Sequence, residues 1–139
     1  MVLVDSSVWI EALRRKGSLE VAVALEGLLE VYEARLCAPV RLEVLGGARS
    51  NERSSLGGYF SILPFRACGP DDWERAIALA WKLRDQGVTV PWMDVLIAAI
   101  ALKDGERVYA IDGHFGAIAR VTGLRLYEPG PGGLFSPER

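Results

Sequence analysis

Short apolar runs of β character alternate along this chain with longer stretches of helical periodicity. That alternation points to a parallel sheet covered by helices, because parallel neighbours require crossover connections. Val2, Leu3 and Val4 open the series, and the run stops at Asp5-Ser6-Ser7, small polar side chains that cap a helix rather than extend a strand. Val8, Trp9, Ile10 and Leu13 then share one broad helical face. Arg14-Arg15-Lys16-Gly17 ends that helix with cations at its negative pole and a terminating glycine. A second helix is expected over about 18–29. Leu36-Cys37-Ala38 reads as the second strand, and Pro39 starts a helix that carries Leu42, Val44 and Leu45 up to Gly46-Gly47.

A polar, Arg-bearing stretch over 48–55 leads to a helical segment at 56–62, and Leu63-Pro64-Phe65 reads as a third strand or extended segment. Asp71-Asp72 opens a strong helix in which Trp73, Ile77, Ala80, Trp81 and Leu83 keep helical spacing until Gly87. Pro91 begins the next, whose Val95, Leu96, Ala98, Ala99 and Leu102 make it apolar on nearly every side and mark it as buried. Residues 107–111 are expected to form a strand, 113–121 a turn and short helix, and 124–127 a last strand. The sum is a three-layer α/β/α sandwich around a short-stranded, mostly parallel sheet. At 139 residues the chain has the size of one domain. That domain is expected over 1–127, with a Gly- and Pro-rich tail over 128–139 composed like a loose end.

Lys and Arg number 16 against 18 Asp and Glu, so the net charge of −2 offers no global attraction for nucleic acid, and any such attraction must be local. Cys37 and Cys68 stand outside any metal-ligand spacing and read as ordinary thiols of a reducing compartment. The first residues place an acid, Asp5, where a secretory signal would carry a basic start and a long apolar stretch. The longest apolar run, 95–102, is far short of the ~20 residues that span a bilayer. A soluble, cytoplasmic protein without membrane association is expected.

In an open parallel sheet ligands bind beyond the carboxyl ends of the strands, and Asp5 and Asp112 stand where expected strands end. Glu43 and Asp94 lie in early turns of helices that begin at the same edge. Each acid alone has a structural explanation: an N-cap for Asp5, a turn for Asp112, a surface charge for Glu43, a helix-dipole partner for Asp94. Together, carboxylates ~5 Å apart repel by roughly 3 kcal/mol per pair at an effective dielectric of ~20, so gathering them calls for a counter-charge. All-oxygen ligation selects a hard ion, Mg²⁺ or Mn²⁺, over zinc, for which neither HExxH nor clustered Cys and His is present. Metal-assisted phosphodiester hydrolysis is the matching reaction class.

Val4-Asp5-Ser6-Ser7-Val8-Trp9-Ile10-Glu11, Leu42-Glu43-Val44-Leu45-Gly46, Asp94-Val95-Leu96-Ile97-Ala98-Ala99-Ile100-Ala101 and Ile111-Asp112-Gly113-His114-Phe115, in this order, resemble PIN domains, and among them VapC-type toxins of toxin–antitoxin pairs. The likeness covers about 2–126. It implies Asp5, Glu43, Asp94 and Asp112 as the metal-binding acids. It also makes Ser6 the hydroxyl that supports the site from beside the first Asp, leaving Ser7 as a helix cap. The implied activity is a metal-dependent endoribonuclease that leaves a 3′-hydroxyl and a 5′-phosphate. The implied partners are RNA, an antitoxin whose helix docks near the first helices, and a second copy of the chain in a homodimer. The chain departs from the pattern at two places: His114 stands where many relatives carry a further acid, and Ala110 where a hydroxyl residue is common. This leaves open whether one metal or two act.

His114, the sole histidine, is a candidate for phosphate binding or proton transfer as well as for a local loop hydrogen bond. Arg49 and Arg53, with Arg14, Arg15 and Lys16, are candidates for neutralising an RNA backbone. Trp9, Trp73, Trp81 and Trp92 are expected to fill cores or interfaces, with Trp92 the one candidate for another role. Two other functions fit parts of the pattern. One is a PIN-like module that binds RNA or protein without catalysis, suggested by His114. The other is a phosphoacceptor domain, opposed by the absence of an acidic pair at the first strand end and of a Lys after a late strand.

Overall fold

The computed structural model describes residues 1–138. In chain order the elements are β1 (Val2–Val4), α1 (Ser6–Leu13), α2 (Leu19–Glu30), β2 (Ala34–Cys37), α3 (Ala38–Gly46), α4 (Arg53–Phe60), β3 (Phe65–Arg66), α5 (Pro70–Asp85), α6 (Trp92–Asp104), β4 (Arg107–Tyr109) and α7 (His114–Ala119). A short 3₁₀ turn follows at Pro131–Gly133. The strands form one parallel sheet in the order β3-β2-β1-β4, with Val2 opposite both Ala34 and Arg107. Helices flank it to make the three-layer α/β/α sandwich expected from the sequence.

The strand order fixes where a site can form. From β1 the chain winds outward through β2 to β3, then returns to lay β4 on the other side of β1. The connections beyond β1 and β4 therefore diverge and leave a crevice at the carboxyl ends of these two strands. Asp5 follows β1 and Asp112 follows β4, so both open into it. β1 sits at the centre with Val2, Leu3 and Val4 fully buried, and α6 is buried continuously from Asp94 to Ala101. That continuity is what a helix apolar on all sides requires. Trp9 anchors α1 in the core through edge contacts with Phe60, at 5.0 Å between centroids, and Tyr59, at 6.3 Å.

Several boundaries differ from the sequence reading, each for a backbone reason. The second strand is Ala34–Cys37 rather than 36–38, because pairing with β1 begins at Ala34 while Ala38 already enters α3. The third strand is Phe65–Arg66. Pro64 has no N–H to give a ladder, and it contributes only its carbonyl, which accepts from the Leu36 N–H at 2.9 Å. α4 starts at Arg53, inside the stretch read as polar. The last expected strand reduces to a single parallel bridge between Leu126 and Val108. Of the four tryptophans only Trp9 fills the core; Trp73, Trp81 and Trp92 are more than half exposed. α5 is two-faced: Leu79 and Leu83 point inward, while Trp73, Ile77 and Trp81, spaced by four, form an outer stripe.

The tail, composed like a loose end, lies against α2 in its described part. Gly133 turns there with φ +83°, and a Cβ on it would stand 2.7 Å from the Val23 side chain, so only glycine fits. Phe135 stacks on Tyr127 at 6.3 Å, Arg107 donates to the Ser136 carbonyl at 2.9 Å, and Arg107 and Arg125 both pair with Glu138.

One ion network ties β2 and β3 to α5 and the end of α6. Arg66 meets the buried Asp72 carboxylate in a two-pronged contact of 2.8 and 2.9 Å and reaches Asp104 at 2.8 Å, while Arg35 pairs with Asp104 and Glu106. The Arg66 guanidinium holds the Asp72 carboxyl down from its ordinary 3.8 to about 2. A carboxyl so depressed stabilises the fold fully above its unfolded pKa and loses that contribution as pH falls toward 2. Arg66→Ala, which strands Asp72 without a counter-charge, is expected to lower stability in urea at pH 7 by about 3 kcal/mol. The variant should also lack the wild-type decline between about pH 4 and pH 2 that this pair generates. Equal pH profiles for the two proteins would show that the pair carries no such linkage.

Candidate metal centre

Asp5 has two tasks. It is the N-cap of α1, one oxygen accepting from the Ser7 N–H at 3.1 Å, while its other oxygen is buried without a hydrogen-bond partner. Of the two residues the sequence offered as caps, Asp5 fills the role and Ser7 does not. Ser7 instead accepts from the Ile111 N–H through its hydroxyl at 3.2 Å, tying the start of α1 to the loop that carries Asp112. The Asp5 N–H donates to the Tyr109 carbonyl at 2.8 Å, extending the β1–β4 ladder to the edge of the crevice. These bonds fix the first and last acids relative to each other.

Glu43 projects from the second turn of α3, half-buried, and one of its oxygens is also buried without a partner. Asp94 lies in the first turn of α6 and is 6% exposed. Asp112 is half-buried, and its carboxylate accepts from the His114 N–H at 3.0 Å. His114 reaches across with Nδ1 at 2.7 Å from an Asp94 oxygen and 3.5 Å from an Asp112 oxygen. Candidate ligand atoms of Asp94, Asp112 and His114 lie within 4.8 Å of one another. Asp5 and Glu43 border the same group closely enough for their charges to act on it.

Burial raises the Asp5 carboxyl above its ordinary value, with the Asp112 charge adding to the rise and the bonds at Ser7 opposing it. Glu43 is raised by burial and then by the charges of Asp5 and Asp94, against an opposing bond from Ser6. Asp94 is raised by burial and by Asp5 and Asp112, with His114 opposing. Asp94 and Asp112 therefore meet at His114, while Asp5 and Glu43 stand near enough for their charges to act on the group, with Ser6 beside Glu43. Arg49 and Arg53 do not join them. The Arg49 backbone N–H donates to Glu52 and the Arg53 side chain donates to the Ala48 carbonyl, and among the described residues neither guanidinium forms an ion pair with these carboxylates. The close contact of His114 with Asp94 was not read from the sequence; its only signal was an imidazole standing where many relatives carry an acid.

The donor set fits a hard divalent cation. Two buried carboxylate oxygens lack any proton donor, three carboxyls are held above their ordinary values by burial and mutual repulsion, and an ion would relieve both conditions. A carboxyl raised in the fold takes up its proton on folding, so its contribution becomes unfavourable as pH rises from the unfolded value through the raised one. Ion-free protein is expected to lose stability through these groups above about pH 4, and Asp5→Asn or Glu43→Gln should flatten the loss. Mn²⁺ should raise the thermal midpoint more at pH 7.5 than at pH 5, since protons compete for the same oxygens. A midpoint indifferent to Mn²⁺ at both pH values would speak against a metal centre.

Residues 2–121 match the family model described as PIN domain. The chain is 35% identical over 130 residues to VapC ribonuclease Mb1587 of Mycobacterium bovis, which covers 90% of this chain and 96% of that protein. Ribonuclease VapC11 of Mycobacterium tuberculosis matches with the same identity and coverage. Among solved structures, FitAcB from Neisseria gonorrhoeae superposes with a TM-score of 0.74 at 19% identity, over 92% of this chain and 97% of that one. VapBC2 from Rickettsia felis, bound to a DNA fragment from its promoter, superposes with a TM-score of 0.72 at 18% identity, over 91% and 98%.

Proposed function

The chain belongs to the PIN domain family, and we propose that it is a metal-dependent endoribonuclease, the toxin of a toxin–antitoxin pair. The observation that carries this reading is the crevice itself: four acids from separate parts of the chain converge there, two with buried oxygens that no protein group satisfies. Asp5, Glu43, Asp94 and Asp112 would hold Mg²⁺ or Mn²⁺. Such an ion, when bound, makes a water a better nucleophile and neutralises the charge that develops on a phosphoryl group.

The protein's own groups do the positioning. Ser7 and Asp5 lock the β1 and β4 ends together, so the acids form one preorganised set rather than four mobile side chains. His114 uses Nδ1 on Asp94, which orients the ring and leaves its other nitrogen without a partner among the described residues. The imidazole side chain is 46% exposed at the crevice rim, where it can meet an RNA phosphate. Overall charge gives RNA no attraction, and Arg49 on the α3–α4 connection and Arg53 at the start of α4, both exposed, would supply local phosphate contacts.

The same reading includes an antitoxin partner, a homodimer, and products with a 3′-hydroxyl and a 5′-phosphate. Ile10 and Leu13 on α1 and Tyr59 on α4 leave apolar surface exposed near the Trp9 cluster, which suits an amphipathic helix of the antitoxin. His114 in place of an acid favours one second reading, a module that binds without cutting.

Cleavage of fluorescent single-stranded RNA by purified wild type and Asp94→Asn, with Mg²⁺, Mn²⁺ or EDTA, decides between them. Wild type is expected to cut with either ion and not with EDTA. Asp94→Asn should lose more than the roughly 10–100-fold typical of changes outside the ligand shell. Equal cutting by the two proteins would remove the basis of the nuclease reading, and metal binding with no turnover on any RNA would favour the binding module.

A further inference from the structure

The last acid of the centre is built together with a nitrogen donor. Asp112 and His114 stand two residues apart where the chain enters α7, and the Asp112 carboxylate accepts from the His114 N–H at 3.0 Å. Phe115, buried to 1% exposure, anchors the turn directly after them. The imidazole is thereby fixed at the crevice rim with Nδ1 turned inward, 2.7 Å from an Asp94 oxygen and 3.5 Å from an Asp112 oxygen. Its other nitrogen, Nε2, has no partner among the described residues, on a side chain 46% exposed. We propose that Nδ1 of His114 is a direct ligand of the bound ion, which makes the centre a mixed nitrogen and oxygen site that takes Mn²⁺ in preference to Mg²⁺. The inference rests on the metal-dependent reading above and names a donor beyond the four acids and the ion it selects.

The separations of the atoms carry the first step. Donors on adjacent corners of an octahedron with bonds of ~2.1 Å lie about 3 Å apart. The two Nδ1 distances, 2.7 and 3.5 Å, bracket that value, and the donor atoms of Asp94, Asp112 and His114 all lie within 4.8 Å of one another. One ion can therefore touch all three after small adjustments. A histidine that served only as a loop residue would have no reason to place its inner nitrogen between two carboxylates.

The second step concerns the ring itself. A neutral imidazole carries one proton, and Nδ1 offers a lone pair when that proton is on Nε2. Nε2 is the solvent-side nitrogen here, so water or a phosphate oxygen can accept from it. Ligation through Nδ1 and an outward N–H are thus the same tautomer, and the two roles of the side chain do not compete.

The third step is the choice of ion. Mg²⁺ takes oxygen donors and gives up its water reluctantly, whereas imidazole is a ligand of transition ions. Zinc favours a four-coordinate shell rich in Cys and His, which this acid-rich crevice does not offer. Of the ions that suit carboxylates, Mn²⁺ is the transition ion, and it is the one that gains from a nitrogen. An aspartate at the same place would leave an all-oxygen set without that preference.

His114 is the only histidine of the chain, so its nitrogen can be read directly in the untagged protein. Electron spin-echo envelope modulation of the Mn²⁺-loaded wild type should show a directly bound nitrogen whose pattern changes when the histidine is isotope-labelled. The signal should be absent from His114→Ala and His114→Asp, and the labelled wild type answers the question even where a variant fails to fold. Calorimetric titration should give the wild type a lower Kd for Mn²⁺ than for Mg²⁺. His114→Ala should weaken Mn²⁺ binding by more than the roughly 10–100-fold contributed by groups outside the ligand shell, and Mg²⁺ binding by less. His114→Asp, which restores an oxygen donor, should narrow the gap between the two ions. Bound Mn²⁺ without a nitrogen signal overturns the ligand and leaves the metal-dependent nuclease reading standing. A nitrogen signal with equal Kd values for the two ions overturns the preference, and a wild type that binds no Mn²⁺ overturns this inference and the metal centre together.

Discussion

Four carboxylates drawn to one edge of a sheet repel one another, and the rest of this structure can be understood as the means of holding them there. At separations near 5 Å and an effective dielectric of ~20, each pair opposes the fold by roughly 3 kcal/mol, a large part of the margin by which a domain is stable. The chain offsets this by putting the acids on its most constrained elements. Asp5 follows the fully buried central strand, and Asp94 begins a helix buried over eight consecutive residues. Asp112 is tied to α1 through Ser7 and Ile111. Spreading apart would break the strand ladder or open the core, so the repulsion appears instead as raised pKa values. That is the state a divalent ion best relieves.

His114 changes the character of the cluster without changing its place. An acid at that position would add a further repulsive charge, whereas the imidazole gives Asp94 a hydrogen-bonding partner and lies close to Asp112. The effect on Asp94 is visible as an opposing influence against burial. The substitution therefore makes the ion-free centre easier to fold, and it exchanges one hard oxygen donor for a nitrogen donor at the rim.

Much of this was legible in the residues because the signals were local. Val2 to Val4 had to be a strand, Asp5-Ser6 had to begin a helix, and the run from Asp94 to Ala101 could satisfy its apolar residues only by complete burial. Once the strands were parallel, their carboxyl ends had to share an edge, and the convergence of Asp5 and Asp112 followed from that. What was not legible depends on contacts made at a distance. The division of labour between Asp5 as cap and Ser7 as loop tether needs the neighbouring strand end to be in place. The fifth strand failed to form because Leu126 meets Val108 at a single bridge. The tail is ordered by a glycine that lets it lie against Val23 and by Phe135 on Tyr127. The tryptophans misled for a related reason: periodicity shows that Trp73, Ile77 and Trp81 share a face, but only the packing of Leu79 and Leu83 shows that this face is the outer one.

α6 borders both the acidic crevice and an apolar groove beside α5. Residues two apart on a helix point to nearly opposite sides, so the turn that presents Trp92 to the groove presents Asp94 to the acids, with Val95 and Leu96 continuing the groove wall. The start of this helix has no side-chain cap; Pro91 occupies the N-cap position, its carbonyl accepts from the Asp94 and Val95 N–H groups, and the N–H groups of Trp92 and Met93 just before Asp94 have no partner within the helix. An unreinforced helix start is the part of a helix that frays most readily.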